Sequence, residues 1–75
     1  MTMKQVTIKT EYITLGQFLK LSECISTGGE AKPFLQENII MINGEQDQRR
    51  GRKLYNEDRI DVEGCGLFQI ISHVC

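Results

Sequence analysis

The sequence predicts an α+β domain, with two N-terminal helices packed on a small, mostly antiparallel sheet. Three observations carry that reading. Apolar residues alternate near both ends of the chain, as half-buried strands require. Two Thr-x-x-Gln/Glu patterns open helical stretches in the first half, and an Asn-Gly pair follows a β-prone run in the middle.

The elements follow in order. Residues 4–9 alternate, with Val6 and Ile8 on one face and Thr7 and Lys9 turned away. Thr14 and Gln17 have the spacing of a capping box, in which each side chain satisfies a backbone N–H at a helix start. Leu15, Phe18, Leu19 and Ser22 then recur at helical spacing, with Leu21 and Ile25 extending the apolar surface of a helix of roughly ten residues. Thr27 and Glu30 repeat the capping pattern, and Ala31, Phe34 and Leu35 supply the stripe of a second helix ending near Asn38. Pro33 would cost up to about 3 kcal/mol in a helix interior. The second helix must therefore begin near Gly29 or Glu30, leaving Pro33 in or just after its first turn.

Ile39–Ile42 reads as a strand, and Asn43-Gly44 suits a tight type I′ turn that returns the chain through Glu45 to Gln48. The basic run Arg49–Lys53 falls in a connecting loop or irregular strand. Residues 59–63 alternate with Ile60 and Val62 inward, and Leu67–Val74 reads as the last strand.

The 75 residues form one domain spanning 1–75, so a single surface has to carry any function. With 40% hydrophobic and 25% charged residues the chain is too apolar for disorder. A net charge of −1 excludes a generic polyanion binder with a wholly positive surface. Charge is nonetheless polarised along the chain: Arg49, Arg50, Arg52 and Lys53 lie within five residues, and Glu57–Glu63 carries four acids against Arg59. Cysteines at 24, 65 and 75 have no metal-ligand spacing, and an odd count cannot close a disulfide framework, which points to a reducing, cytoplasmic compartment. The first residues lack the apolar run of a signal peptide, and no stretch approaches the length of a membrane span.

Two segments suggest anion binding. In Arg49-Arg50-Gly51-Arg52-Lys53, arginine forks match phosphate oxygens and Gly51 permits close backbone approach; the alternative is a solvated loop whose cations pair with Glu45, Asp47 or Glu57. At Gly28-Gly29 a helix start could offer unpaired amides, reinforced by Lys32; alternatively the glycines merely permit a tight turn between helices. The Gly-Lys-Ser/Thr signature of a nucleotide-binding loop is missing. Lys20 and Gln17 lie off the apolar stripe of the first helix. Catalysis is not expected: His73 and Cys75 could share a strand face, but no orienting carboxylate or further ligands accompany them. Neither a metal, a cofactor nor a small-molecule substrate is implied.

The segments Leu15–Leu21, Ser26-Thr27-Gly28-Gly29-Glu30-Ala31-Lys32, Ile42-Asn43-Gly44-Glu45, Arg49-Arg50-Gly51-Arg52-Lys53-Leu54 and Asp58-Arg59-Ile60, in that order, resemble the S-four RNA-binding domain, the αL motif. The likeness is strongest to its small bacterial members of the YaaA/YbcJ type and covers about residues 12–63. The resemblance implies that the two helices and the following hairpin form one RNA-docking face. Residue by residue, it implies contacts from Ser26, Gly28, Gly29 and Lys32 at the second helix start, and from Arg49, Arg50, Arg52 and Lys53 after the hairpin; Lys20 on the first helix joins them as a candidate. Glu57 stands where a glycine commonly precedes the aspartate of the last hairpin, and Asn56 is expected to supply the turn geometry there.

The expected function is non-catalytic, shape-dependent binding of structured RNA, either ribosomal RNA or a ribosome-assembly intermediate, through phosphates and 2′-hydroxyls. Tyr55 is the one aromatic residue near the basic run, placed there for stacking or for the core. The alternative function is a protein-interaction module whose basic loop docks an acidic partner. Oligomeric state is left open.

Overall fold

Alternation at the two ends of the chain brings those ends side by side. In the computed structural model, which describes residues 3–73, β1 (Lys4–Ile8) pairs with β7 (Gly66–Ser72) in parallel, Val6 opposite Ile70. The sheet continues antiparallel through β6 (Arg59–Val62), β3 (Ile40–Ile42) and β4 (Glu45–Gln46), in the order β1-β7-β6-β3-β4. The structure is a small α+β fold with a mixed sheet and two helices. The helices are not its first elements, because β1 and a second short strand precede them.

That second strand, β2 (Tyr12–Thr14), pairs antiparallel with β5 (Lys53–Tyr55) in a separate ribbon. Strand periodicity sorts its residues: Ile13 and Leu54 enter the core, while Tyr12, Lys53 and Tyr55 are exposed.

Helix α1 (Leu15–Leu21) opens on the expected capping box, with Gln17 N donating to Thr14 Oγ1 and Thr14 N donating to Gln17 Oε1. It is shorter than expected because Glu23, at φ 65°, turns the chain left-handed. Glu23 N donates to the Lys20 carbonyl and Cys24 N to the Leu19 carbonyl, a Schellman closure made without glycine. Leu15, Phe18 and Leu19 are buried, but Leu21 is 57% exposed and does not extend the core.

Helix α2 (Ala31–Glu37) follows a 3-10 turn at Gly28–Glu30. Pro33 is its third residue, in the first turn, where a missing N–H breaks no helical bond. The expected capping box does not form here. Thr27 makes no side-chain cap, and the Glu30 carboxylate instead accepts from Ser26 N at 2.9 Å.

Asn43 and Gly44 adopt φ 52° and 87°, the positive pair that a type I′ turn needs. At the later hairpin the left-handed residue is Glu57, φ 71°, and not Asn56, whose side chain accepts from Ser72 N. One continuous core joins α1, α2 and the sheet, with Phe18 meeting Phe68 edge-on at 5.3 Å. Against the expectation from the odd cysteine count, Cys24 and Cys65 are disulfide-bonded. An odd number leaves one cysteine over but does not prevent two from pairing. This pair ties the end of α1 to the β6–β7 turn; Cys75, and with it the His73–Cys75 pairing, lies outside the described residues.

Candidate nucleic-acid interface

The first three amides of a helix have no partner among its own carbonyls, and in α1 two of the three seat the basic loop. Gln17 N is taken by Thr14, whereas Leu15 N donates to the Arg52 carbonyl at 2.7 Å and Gly16 N to the Arg50 carbonyl at 2.9 Å. The approach is close at Gly16, where a Cβ would lie in ordinary contact, 3.4 Å from the Arg50 carbonyl and 3.5 Å from its Cβ. The helix start thus holds the backbone of residues 50–52, and the β2–β5 ribbon continues the attachment.

The four cations of the loop divide into two groups. Arg49 Nη2 and Arg52 Nη1 donate to Asp47 Oδ2 at 2.9 and 2.8 Å, and Arg49 also donates its backbone N and Nε to Oδ1. The Asp47 side chain is only 7% exposed, against 27% for Arg52 and 73% for Arg49. The Arg49 guanidinium beside it, helped by Arg52 and opposed by burial, holds the Asp47 carboxyl far below the usual carboxylate range; Asp47 in turn raises Arg49. Arg50 and Lys53 make no ion pair among the described residues. Lys53 Nζ instead sits 4.8 Å from the centroid of the Tyr12 ring.

Arg50 lies with Lys20 in a groove of about 390 Å³, together with Gly16, Gln17, Gly28 and Gly51. No carboxylate lines this groove. Gly51 also borders a second cleft of about 540 Å³, lined by Arg49, Arg52, Lys53, Tyr55 and Asp58. Asp58 is occupied as a turn organiser, accepting from Tyr55 N and Asn43 Nδ2. The two segments singled out in the sequence therefore meet in one groove beside α1, through Gly28 and Arg50. Of the remaining candidates, Ser26, Gly29 and Lys32 are exposed but lie outside the lining of the Lys20–Arg50 groove. Ahead of α2 the Glu30 carboxylate accepts from the Ser26 amide, so that one amide is already used within the chain.

Two residues matter more than the sequence indicated. Asp47 was one of three acids that could pair with the loop, and its spacing of two and five from Arg49 and Arg52 singles it out only once the loop's path is known. Tyr12 belongs to a three-residue strand with no turn signal of its own, and it lies against Tyr55 with ring centroids 5.7 Å apart.

The structure is a small α+β domain with an arginine-rich loop seated on a helix start and a groove lined by both that holds no carboxylate. The chain belongs to the S4 domain family, which it matches over residues 6–70. It is also 54% identical over 67 residues to the "Probable ribosome maturation protein RlbA" of Bacillus subtilis (strain 168), covering 89% of this chain and 94% of that protein.

Proposed function

We propose that this protein is a non-catalytic RNA-binding module with a ribosome-related role, docking structured ribosomal RNA or an assembly intermediate in the cytoplasm. The observation that carries the reading is the groove that sets Lys20 and Arg50 against Gly28 and Gly51 without an acid among its lining residues. Two long cations at one concave site attract phosphate strongly, and an arginine fork can take two phosphate oxygens at once. Gly28 and Gly51 add no side chain to the groove's walls, and a Cβ at either would meet open space. Lys53 and the exposed Arg49 extend the positive track, while Arg52 and Asp47 fix its shape. Membership of the S4 domain family and the likeness to a ribosome maturation protein support the same reading.

Affinity drawn from phosphates and 2′-hydroxyls favours shape over sequence, so the target is expected to be a folded RNA surface. Crosslinking in cells followed by sequencing of the attached RNA should recover ribosomal RNA or its precursors at discrete positions. Recovery of no RNA, with acidic protein partners that survive ribonuclease treatment, would contradict the proposal and favour protein docking through the same loop.

A further inference from the structure

The outward face of the β2–β5 ribbon carries two aromatic rings that the core does not use. Tyr12 and Tyr55 are register partners, 38% and 43% exposed, with ring centroids 5.7 Å apart and planes inclined by 44°. An exposed aromatic pair on a short ribbon contributes little to folding, because Ile13 and Leu54 on the opposite face already anchor it at 7% and 0% exposure. Each ring also borders a different cleft. Tyr55 borders the cleft that holds Arg49, Arg52 and Lys53 with Asp58, and Tyr12 borders a neighbouring groove of about 860 Å³ in which Lys20 and Leu21 lie with Glu11 and Glu23. Lys53 Nζ stands 4.8 Å from the Tyr12 centroid, so an ammonium and an aromatic ring are separated by less than the span of one nucleotide.

From this juxtaposition we infer that Tyr12 and Tyr55 form a stacking platform for an unpaired base of the bound RNA, with Lys53 taking the phosphate of the same nucleotide. The inference rests on the proposed RNA-binding function and deepens it. The groove around Lys20 and Arg50 reads backbone charge, whereas the platform requires a base that has left its helix. The exposed Tyr55 ring, with an ammonium held over the neighbouring Tyr12 ring, matches a nucleotide, which is itself a flat ring joined to an anion. An acidic peptide would satisfy the cations and leave the rings uncovered.

The two tyrosines are the protein's whole complement, and it has no tryptophan, so tyrosine emission reports on the platform alone. The probes are hexa-adenylate RNA, a ribose-phosphate oligomer of equal length without bases, and a blunt RNA duplex. Hexa-adenylate should quench the emission at saturation, and the base-free oligomer should leave it unchanged while binding about tenfold more weakly. Tyr55→Leu should lose at least about fivefold in affinity for hexa-adenylate, and Tyr55→Phe should retain it, because the stacking surface survives without the hydroxyl. Duplex binding should be equal in all three proteins, which also controls for folding. Equal binding of hexa-adenylate and the base-free oligomer, with unquenched emission, would overturn the platform and leave the RNA-binding function standing. Failure to bind any of the probes would overturn both. Self-association abolished by Tyr55→Leu, with no dependence on bases, would assign the rings to a second copy of the chain and overturn the inference.

Discussion

The two sides of the basic loop use the same residue type for opposite purposes. On the Asp47 side, Arg49 and Arg52 converge on one buried carboxylate and hold the loop in shape. On the α1 side, Arg50 faces Lys20 across a groove that contains no acid. Internal pairing is thus realised for Arg49 and Arg52, while Arg50 and Lys53, in alternation with them, make no ion pair among the described residues. Charge counted along a sequence overstates the available potential, since part of it is spent on internal pairing. The charge that remains is better placed, because the pairing restrains the loop.

That division predicts different consequences for neighbouring substitutions. The largest belongs to Asp47→Ala, which leaves the partly buried Arg52 unpaired and removes several charged hydrogen bonds; the expected loss is about 2–3 kcal/mol. For a domain of this size that lowers Tm by on the order of 10 °C or more in a thermal melt. Arg50→Ala should change stability by no more than about 0.5 kcal/mol. Equal melting of the two variants would erase the distinction.

Acid should expose the same contrast. The Asp47 carboxyl is depressed in the folded protein, so its contribution is complete above the ordinary carboxylate pKa of about 4 and is lost as pH falls towards the folded value. Melts from pH 7 down to pH 2 should show a stability loss below about pH 4 that is shallower in Asp47→Asn. A parallel decline in both proteins would place the acid sensitivity elsewhere.

For binding the order reverses. Arg50→Ala should lower affinity for structured RNA by about 1–2 kcal/mol, and Arg49→Ala by less, because Asp47 already offsets its charge. A further effect concerns the seat of the loop. Gly16→Ala places a methyl at contact distance from Arg50 and raises helix propensity, so stability should rise by up to about 1 kcal/mol with RNA affinity unchanged. Gly16→Val, whose branches extend from a Cβ already in contact with Arg50 and Ala31, should push the Arg50 backbone outward and weaken RNA binding.

How far the fold was legible depends on whether local chemistry decided each element. Asn43-Gly44 turns as its residues dictate, and Thr14 with Gln17 caps α1, because each depends on atoms within a few residues. Thr27 and Glu30 have the same spacing and fail, since a 3-10 turn intervenes and Glu30 finds Ser26 first. The β2–β5 ribbon was missed because two three-residue strands lack periodicity, and their pairing joins Tyr12 to Tyr55 across most of the chain. The Cys24–Cys65 bond, across a separation of 41 residues, is equally invisible to spacing. For the site, the basic loop was evident in composition. Its two-sided use was not, because only the fold decides which arginines reach Asp47.

Fluorescence anisotropy of a structured ribosomal RNA fragment against salt tests the account most directly. Neutralising about four phosphates predicts a log-affinity slope of roughly −3 to −4 against log-salt for the native protein. In Lys20→Ala/Arg50→Ala the slope should be shallower by about two, with an unchanged melting curve. A flat response in the native protein, or an identical slope and affinity in the folded variant, would contradict an electropositive groove as the seat of RNA binding.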